Sequence, residues 1–329
     1  MTKEKGSFEN ISRKFSFFLF ASVWLVVIYH SNFRYYCNFI DVVGPAVISS
    51  FFYVSSVFFY RGITAENVMP RLKKRLQSVL LPYFLWNLIY MLLYCKQYEY
   101  NAASVIRGFT VNPYCTPSWY LLTLFLYFLP APLIRKALTK RWSTIVVLVL
   151  GGLTSYLGYV HFQKELALIP VVGGYLIRMA GYVGPFLLGA VIGSRHDDKL
   201  HVDWKRSVVA LLTAVIMVYL IFHGIPAGWK YLLNILLPLV LWEAVPESLF
   251  THMHFLKWFT DPILFINMSH WYVLFVLQTW AMKMNLGAGF VNFGCIVVVA
   301  FICCYALYYL MRWLMPGILG VLTGGRIKK

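Results

Sequence analysis

Two histidines lie inside long apolar stretches of this chain, where a titratable side chain is costly to keep. His30 closes the run ASVWLVVIYHS, and His270 sits in FINMSHWYVL. An ionisable group at membrane depth marks a functional site by default. A neutral imidazole can take a proton from a hydroxyl and return it later. The competing reading of His30 is an interfacial ring bonded to a backbone carbonyl. For His270 it is polar glue between helices. Asn267, His270 and Gln278 recur at spacings that can line one helical face.

Other residues widen the range of chemistry. Arg178, within GGYLIRMAGYVGPFLLG, is a fixed cation well inside an apolar span. It either snorkels outward or lines a wet cavity, where it can steady a developing oxyanion. Trp119 and Tyr120 form a platform on which a sugar can stack, or belong to an interfacial aromatic belt. Asp41 is placed to orient His30. Arg71, Lys74 and Arg75 recur at helical spacing beside the membrane. Such a cluster suits a multiply phosphorylated ligand, and it equally suits lipid head groups. The six cysteines show neither CxxC pairing nor a His/Cys ligand spacing, so no metal is expected. A Cys95–Cys115 disulfide is open on position alone.

The elements that must hold these groups are apolar helices. Only 12% of residues are charged, against about 25% in soluble domains, so the chain reads as an all-α integral membrane protein. A helix needs roughly 20 apolar residues to cross the hydrocarbon. Ten stretches qualify, at 15–33, 42–60, 77–95, 118–134, 143–160, 169–193, 207–223, 229–246, 262–281 and 289–314. Pro130 and Pro132 are expected to shorten or kink the fourth. The first reads as a retained signal anchor. With the N-terminus inside, twenty-two of the 29 lysines and arginines fall on the cytoplasmic side. That asymmetry predicts ten spans with both termini cytoplasmic. It also explains the net charge of +17 as a topology signal, with no nucleic-acid partner. The chain is expected to form one domain, 1–329, multi-pass in a cell (inner) membrane and bathed by its lipids.

Several segments, in order along the chain, resemble those of membrane acyltransferase family 3. ASVWLVVIYHS resembles that family's first helix. KKRLQSVLLPYFLWNLIY is similar to its basic stretch followed by a PYxxW helix start. PSWYLLTLFLYFLPAPLI, GPFLLGAVIG and FINMSHWYVL resemble later blocks. The resemblance implies transfer of an acyl group, usually acetyl, from cytoplasmic acyl-CoA to an outer hydroxyl. Acceptors in such a family are surface polysaccharides, lipid-linked sugars or peptidoglycan. It implies that His30 is the essential first-helix histidine and His270 the later one. It also implies that Arg71 and Arg75 face the coenzyme and Trp119 the acceptor. One departure stands out. Many members carry a basic residue eleven positions before the first-helix histidine, where this chain has Leu19; either Arg13 or Lys14 replaces it, or the chain belongs to a divergent branch.

Two other functions are compatible with a multi-pass helical protein. A glycan transporter or flippase would line its path with His30, His270 and Arg178, but no internal repeat or intramembrane carboxylate pair supports it. A non-catalytic partner of a polysaccharide synthase is the other.

Overall fold

The computed structural model describes residues 2–31, 38–95, 100–161, 168–169, 172–195, 202–253, 255–286 and 289–325. At 2–10, 38–43, 159, 161, 227, 256 and 290–291 it describes backbone alone. Among the described residues every regular element is helical. In chain order they are α1 (Thr2–His30), α2 (Asn38–Tyr60), α3 (Val68–Arg75), α4 (Leu81–Leu93) and α5 (Ala102–Gly108). Then come α6 (Trp119–Phe128), α7 (Ala131–Ala137), α8 (Arg141–Tyr156), α9 (Gly173–Gly193) and α10 (Trp204–Phe222). The last are α11 (Ala227–Ala244), α12 (Leu256–Thr260), α13 (Ile263–Lys283), α14 (Phe290–Leu314) and α15 (Pro316–Leu322).

Helices occupy all ten apolar stretches. Among the described residues, five are long and apolar enough to cross a membrane: Ile11–His30, Val68–Leu93, Gly173–Gly193, Trp204–Phe222 and Asn292–Leu314. The α6–α7 pair, bent by 57°, makes a sixth if counted as one span. Pro130 sits at that bend as the residue capping α7, as the sequence anticipates, because proline cannot continue the preceding helix. The other four stretches form helices that are shorter or more polar. Helix α2 includes Asp41 and Pro45, α8 is 16 residues long, α11 includes Lys230 and Glu243, and α13 includes Asn267, Ser269 and His270.

The helix α2 is the hub, packing against α1, α9, α10 and α11. Its closest neighbour is α9, and two glycines explain why. A Cβ on Gly189 would lie 2.4 Å from Tyr53 O, and one on Gly193 would lie 2.4 Å from Val57 O. Without side chains there, the two backbones approach directly, which is how helices gain van der Waals contact in lipid. On α1, the buried residues Ile11, Phe15, Val23 and Val27 form one stripe. They pack on α2 and α13, and Trp24 stacks on Phe301 of α14 at 3.5 Å. The short α15 folds back on α4, where Trp86 Nε1 donates to Leu322 O at 3.2 Å.

The N-terminal part of α1 is anchored by charge. Lys14 is fully buried, 3.3 Å from Glu247 and 4.0 Å above the Trp242 ring. The other Glu247 oxygen accepts from Val202 N at 3.0 Å. Arg13 donates to Phe250 O and Thr251 O at 3.1 and 2.8 Å. Arg13 and Lys14, the two candidates to replace a cation at position 19, are both engaged at this end, while Leu19 packs among apolar neighbours.

Candidate functional site

Because α1 ends at His30, its imidazole stands at the edge of the packed bundle rather than in mid-helix. The ring is half-buried. It lies 5.4 Å from the His270 ring, at 31°, and meets the Trp271 ring edge-on at 4.9 Å. Two histidines 240 positions apart in the chain thus meet, as the sequence could not show.

His270 is fully buried. Its Nδ1–H donates to Ile266 O at 3.0 Å, which fixes the tautomer. The lone pair on Nε2 then finds no hydrogen-bonding partner among the described residues. A buried basic nitrogen left open beside a second imidazole is suited to holding or passing a proton.

The backbone around His270 is clamped from α4. The Tyr90 hydroxyl donates to Met268 O at 2.6 Å and accepts from Tyr272 N at 3.1 Å. Those two groups bracket the helical step that contains His270. Asn87, also on α4 and fully buried, holds the turn before α6. It donates to Ser118 Oγ at 2.9 Å and accepts from Cys115 N at 3.0 Å. One helix thereby positions both the histidine block and the Trp119–Tyr120 pair.

His30, Trp119, Tyr120 and Arg178 converge on one cavity of about 430 Å³. Their elements are α1, the start of α6, and α9. Pro45, within α2, forms part of the wall. The Arg178 guanidinium lies over the Trp119 ring at 5.6 Å, and Tyr182 packs on Trp119 from the same helix as Arg178. Asn267 also lines the cavity, nearly fully buried, one turn before His270. The sequence offers it only as part of a polar helix face. Its amide can donate to a carbonyl oxygen in the cavity. The combination is an imidazole base, a guanidinium, an amide and aromatic planes, which together fit acyl transfer to a hydroxyl.

A family described as an acyltransferase domain matches residues 17–314. The chain belongs to acyltransferase family 3. That match contains His30, His270 and every cavity residue named above, so the cavity belongs to an acyltransferase. No curated protein and no solved structure matches.

The remaining sequence candidates fall elsewhere. Arg71 donates to Phe59 O, Arg61 O and Gly62 O at 2.7, 2.6 and 3.1 Å. It thus satisfies carbonyls left open where α2 ends. Arg75 lies over the rings of Phe59 and Phe128, at 5.5 and 5.3 Å. Lys74 points outward and is exposed. The three share one helix, and Arg71 and Arg75 are already engaged with neighbouring groups. The Asp41 side chain lies outside the described residues, as does Cys37. Cys95 and Cys115 are free thiols, one exposed and one buried, so the disulfide left open by their positions is not formed.

Proposed function

We propose that this acyltransferase moves an acyl group, most simply acetyl, from cytoplasmic acyl-CoA to a hydroxyl of an extracytoplasmic carbohydrate. In this reading the protein crosses a cell membrane ten times with both termini cytoplasmic, and the His30 cavity opens toward the outer side. The observation that carries the reading is the convergence of His30, Arg178, Trp119 and Tyr120 on one cavity, inside the segment that matches the family.

The chemistry follows from the groups. A sugar ring stacks on Trp119 and Tyr120 and presents its hydroxyl to His30. The imidazole takes the hydroxyl proton as the oxygen attacks the thioester carbonyl. Negative charge then gathers on the carbonyl oxygen, where Arg178 or the Asn267 amide meets it. The C–S bond breaks, and the proton on His30 goes to the departing thiolate. In the alternative order His30 attacks first, becomes acylated and passes the group to the alcohol. His270, its ring 5.4 Å from the first and its Nε2 without a partner among the described residues, steadies the imidazolium in either order. The donor approaches from the opposite end of the bundle, where Arg71, Lys74 and Arg75 lie. Arg71 and Arg75 already serve α2 and its aromatic neighbours, which leaves Lys74 the freest to meet a phosphate.

The test uses membranes containing the protein, acetyl-labelled acetyl-CoA and a panel of surface glycans. Label should appear covalently on one glycan class, and His30→Ala should abolish it while the protein still accumulates and melts as wild type. A fully active His30→Ala protein ends the proposal. Glycan movement across the bilayer without labelling would favour transport instead.

A further inference from the structure

A second cavity, of about 220 Å³, lies at the end of the bundle opposite His30. It is lined by Tyr53, Arg195, Arg206, Trp242 and Glu243, with Ile192 and Leu239. It shares two walls with the His30 cavity. On α9, Tyr182 lines one and Ile192 the other, about 15 Å apart at 1.5 Å per residue. On α2, Phe51 lines one and Tyr53 the other. The two cavities therefore lie at successive levels of α9 and on different faces of α2.

Its polar groups are nearly all donors. Arg206 pairs with Glu243 at 2.6 Å, which balances one guanidinium. Arg195 adds a second, exposed at the rim. Deeper in, the Tyr53 hydroxyl and the Trp242 indole N–H are buried, and neither has a hydrogen-bond partner among the described residues. A buried donor left unsatisfied is costly, because it has given up water for nothing. Two of them in one pocket, beneath two guanidiniums and a single carboxylate, call for an acceptor-rich anion. Behind them Lys14 lies over the Trp242 ring at 4.0 Å and is paired with Glu247 at 3.3 Å, so that pair adds little net charge.

We infer that this cavity is a binding site for a phosphate-bearing group, with Arg195 and Arg206 at its rim and Tyr53 and Trp242 at its floor. Resting on the reading above, the group is the diphosphate of the acyl donor. The arm that carries the thioester then follows α2 and α9 toward His30. This places the diphosphate on α2, α9, α10 and α11, apart from the basic trio on α3.

The experiment is calorimetric titration of the full-length protein in phosphatidylcholine nanodiscs, first with inorganic pyrophosphate and then with coenzyme A. Both should bind. Tyr53→Phe and Trp242→Phe, which keep the rings, should each weaken both by about tenfold, the equivalent of one hydrogen bond. Arg195→Gln should weaken both by at least as much, and Lys257→Ala, at an exposed cation that lines neither cavity, should change neither. If pyrophosphate fails to bind, or binds all three pocket variants like wild type, the inference is overturned. If the wild type binds pyrophosphate with that pattern but not coenzyme A, the phosphate site stands and the acyl-CoA reading falls. If adding phosphatidylglycerol to the nanodiscs displaces pyrophosphate and the pocket variants abolish that competition, the phosphate chemistry stands with a lipid head group as its source, and the donor assignment is overturned.

Discussion

The Tyr90 hydroxyl donates to Met268 O at 2.6 Å, tying α4 to α13 two residues before His270. The same oxygen accepts from Tyr272 N. A single side chain thus holds both ends of the helical step that carries His270 and Trp271, the two rings packed against His30. Tyr90 is nearly fully buried and is not among the residues that line the cavity, so it acts as a positioning residue. Tyr90→Phe should lower kcat roughly tenfold, since a lost hydrogen bond is worth about 0.5–1.5 kcal/mol, and leave both KM values near wild type. Steady-state kinetics beside a melting curve checks this. A change in stability alone, with kcat intact, would make Tyr90 merely structural.

His270 offers a sharper test of the paired rings. Its Nε2 is buried and has no partner among the described residues, so His270→Phe removes a nitrogen without emptying the space. Losing an acid–base partner typically costs about 10²–10⁴ in rate. The variant should fall at the low end of that range, because His30 remains. The measurement is kcat with saturating donor and acceptor. A rate within twofold of wild type would reduce His270 to packing.

The Lys14–Glu247 pair makes a stability prediction. Both side chains are buried, at 3.3 Å. Removing one partner leaves the other charge uncompensated, at a cost of about 3–5 kcal/mol. Lys14→Met and Glu247→Leu should each lower the melting temperature markedly, while the double variant should recover much of the loss, since replacing both charges with apolar groups is often close to neutral. Additive losses in the double variant would show that the two charges are not coupled.

The ten helical stretches were legible because long apolar runs have few alternatives in lipid. The start of α1 at Thr2 was not, because that segment is charged and its apolar period begins only near Ile11. His30, Arg178 and Trp119 were legible one by one, each being an unusual type at its depth, but their meeting in one cavity depends on helix packing across the whole chain. Asn267 was visible only as a point on a polar face, since periodicity tells which face and not what the face meets. The basic trio on α3 shows the same limit from the other side. Spacing puts Arg71, Lys74 and Arg75 on one helix. It cannot show that the end of α2 leaves carbonyls for Arg71 to satisfy, or that Phe59 and Phe128 lie beneath Arg75.

The α2–α9 contact predicts a steep glycine dependence. A Cβ at position 193 would sit 2.4 Å from Val57 O and 2.8 Å from Val57 Cα, both backbone atoms that cannot rotate away. Gly193→Ala should therefore separate the helices, at the roughly 1–3 kcal/mol typical of overpacking. Gly152→Ala on α8, where nothing lies within 4 Å, should be neutral or slightly stabilising, because alanine favours the helix. Thermal unfolding in detergent compares the two, and equal melting temperatures would refute the close approach.

Trp119 and Arg178 separate acceptor binding from chemistry. The guanidinium lies over the indole at 5.6 Å, so the two side chains hold each other while lining the same cavity. If Trp119 is the plane on which a sugar stacks, Trp119→Leu removes that plane but keeps apolar bulk, and should raise the acceptor KM by up to about tenfold, from the 0.5–1.5 kcal/mol an aromatic pair is worth. The donor KM should stay unchanged. Arg178→Gln should behave differently, because charge that appears only in the transition state lowers kcat rather than binding. Loss of one such donor costs about 10²–10³ in kcat. Should both variants raise the acceptor KM equally with kcat intact, Arg178 would belong to the acceptor platform, and the Asn267 amide would be left to meet the oxyanion.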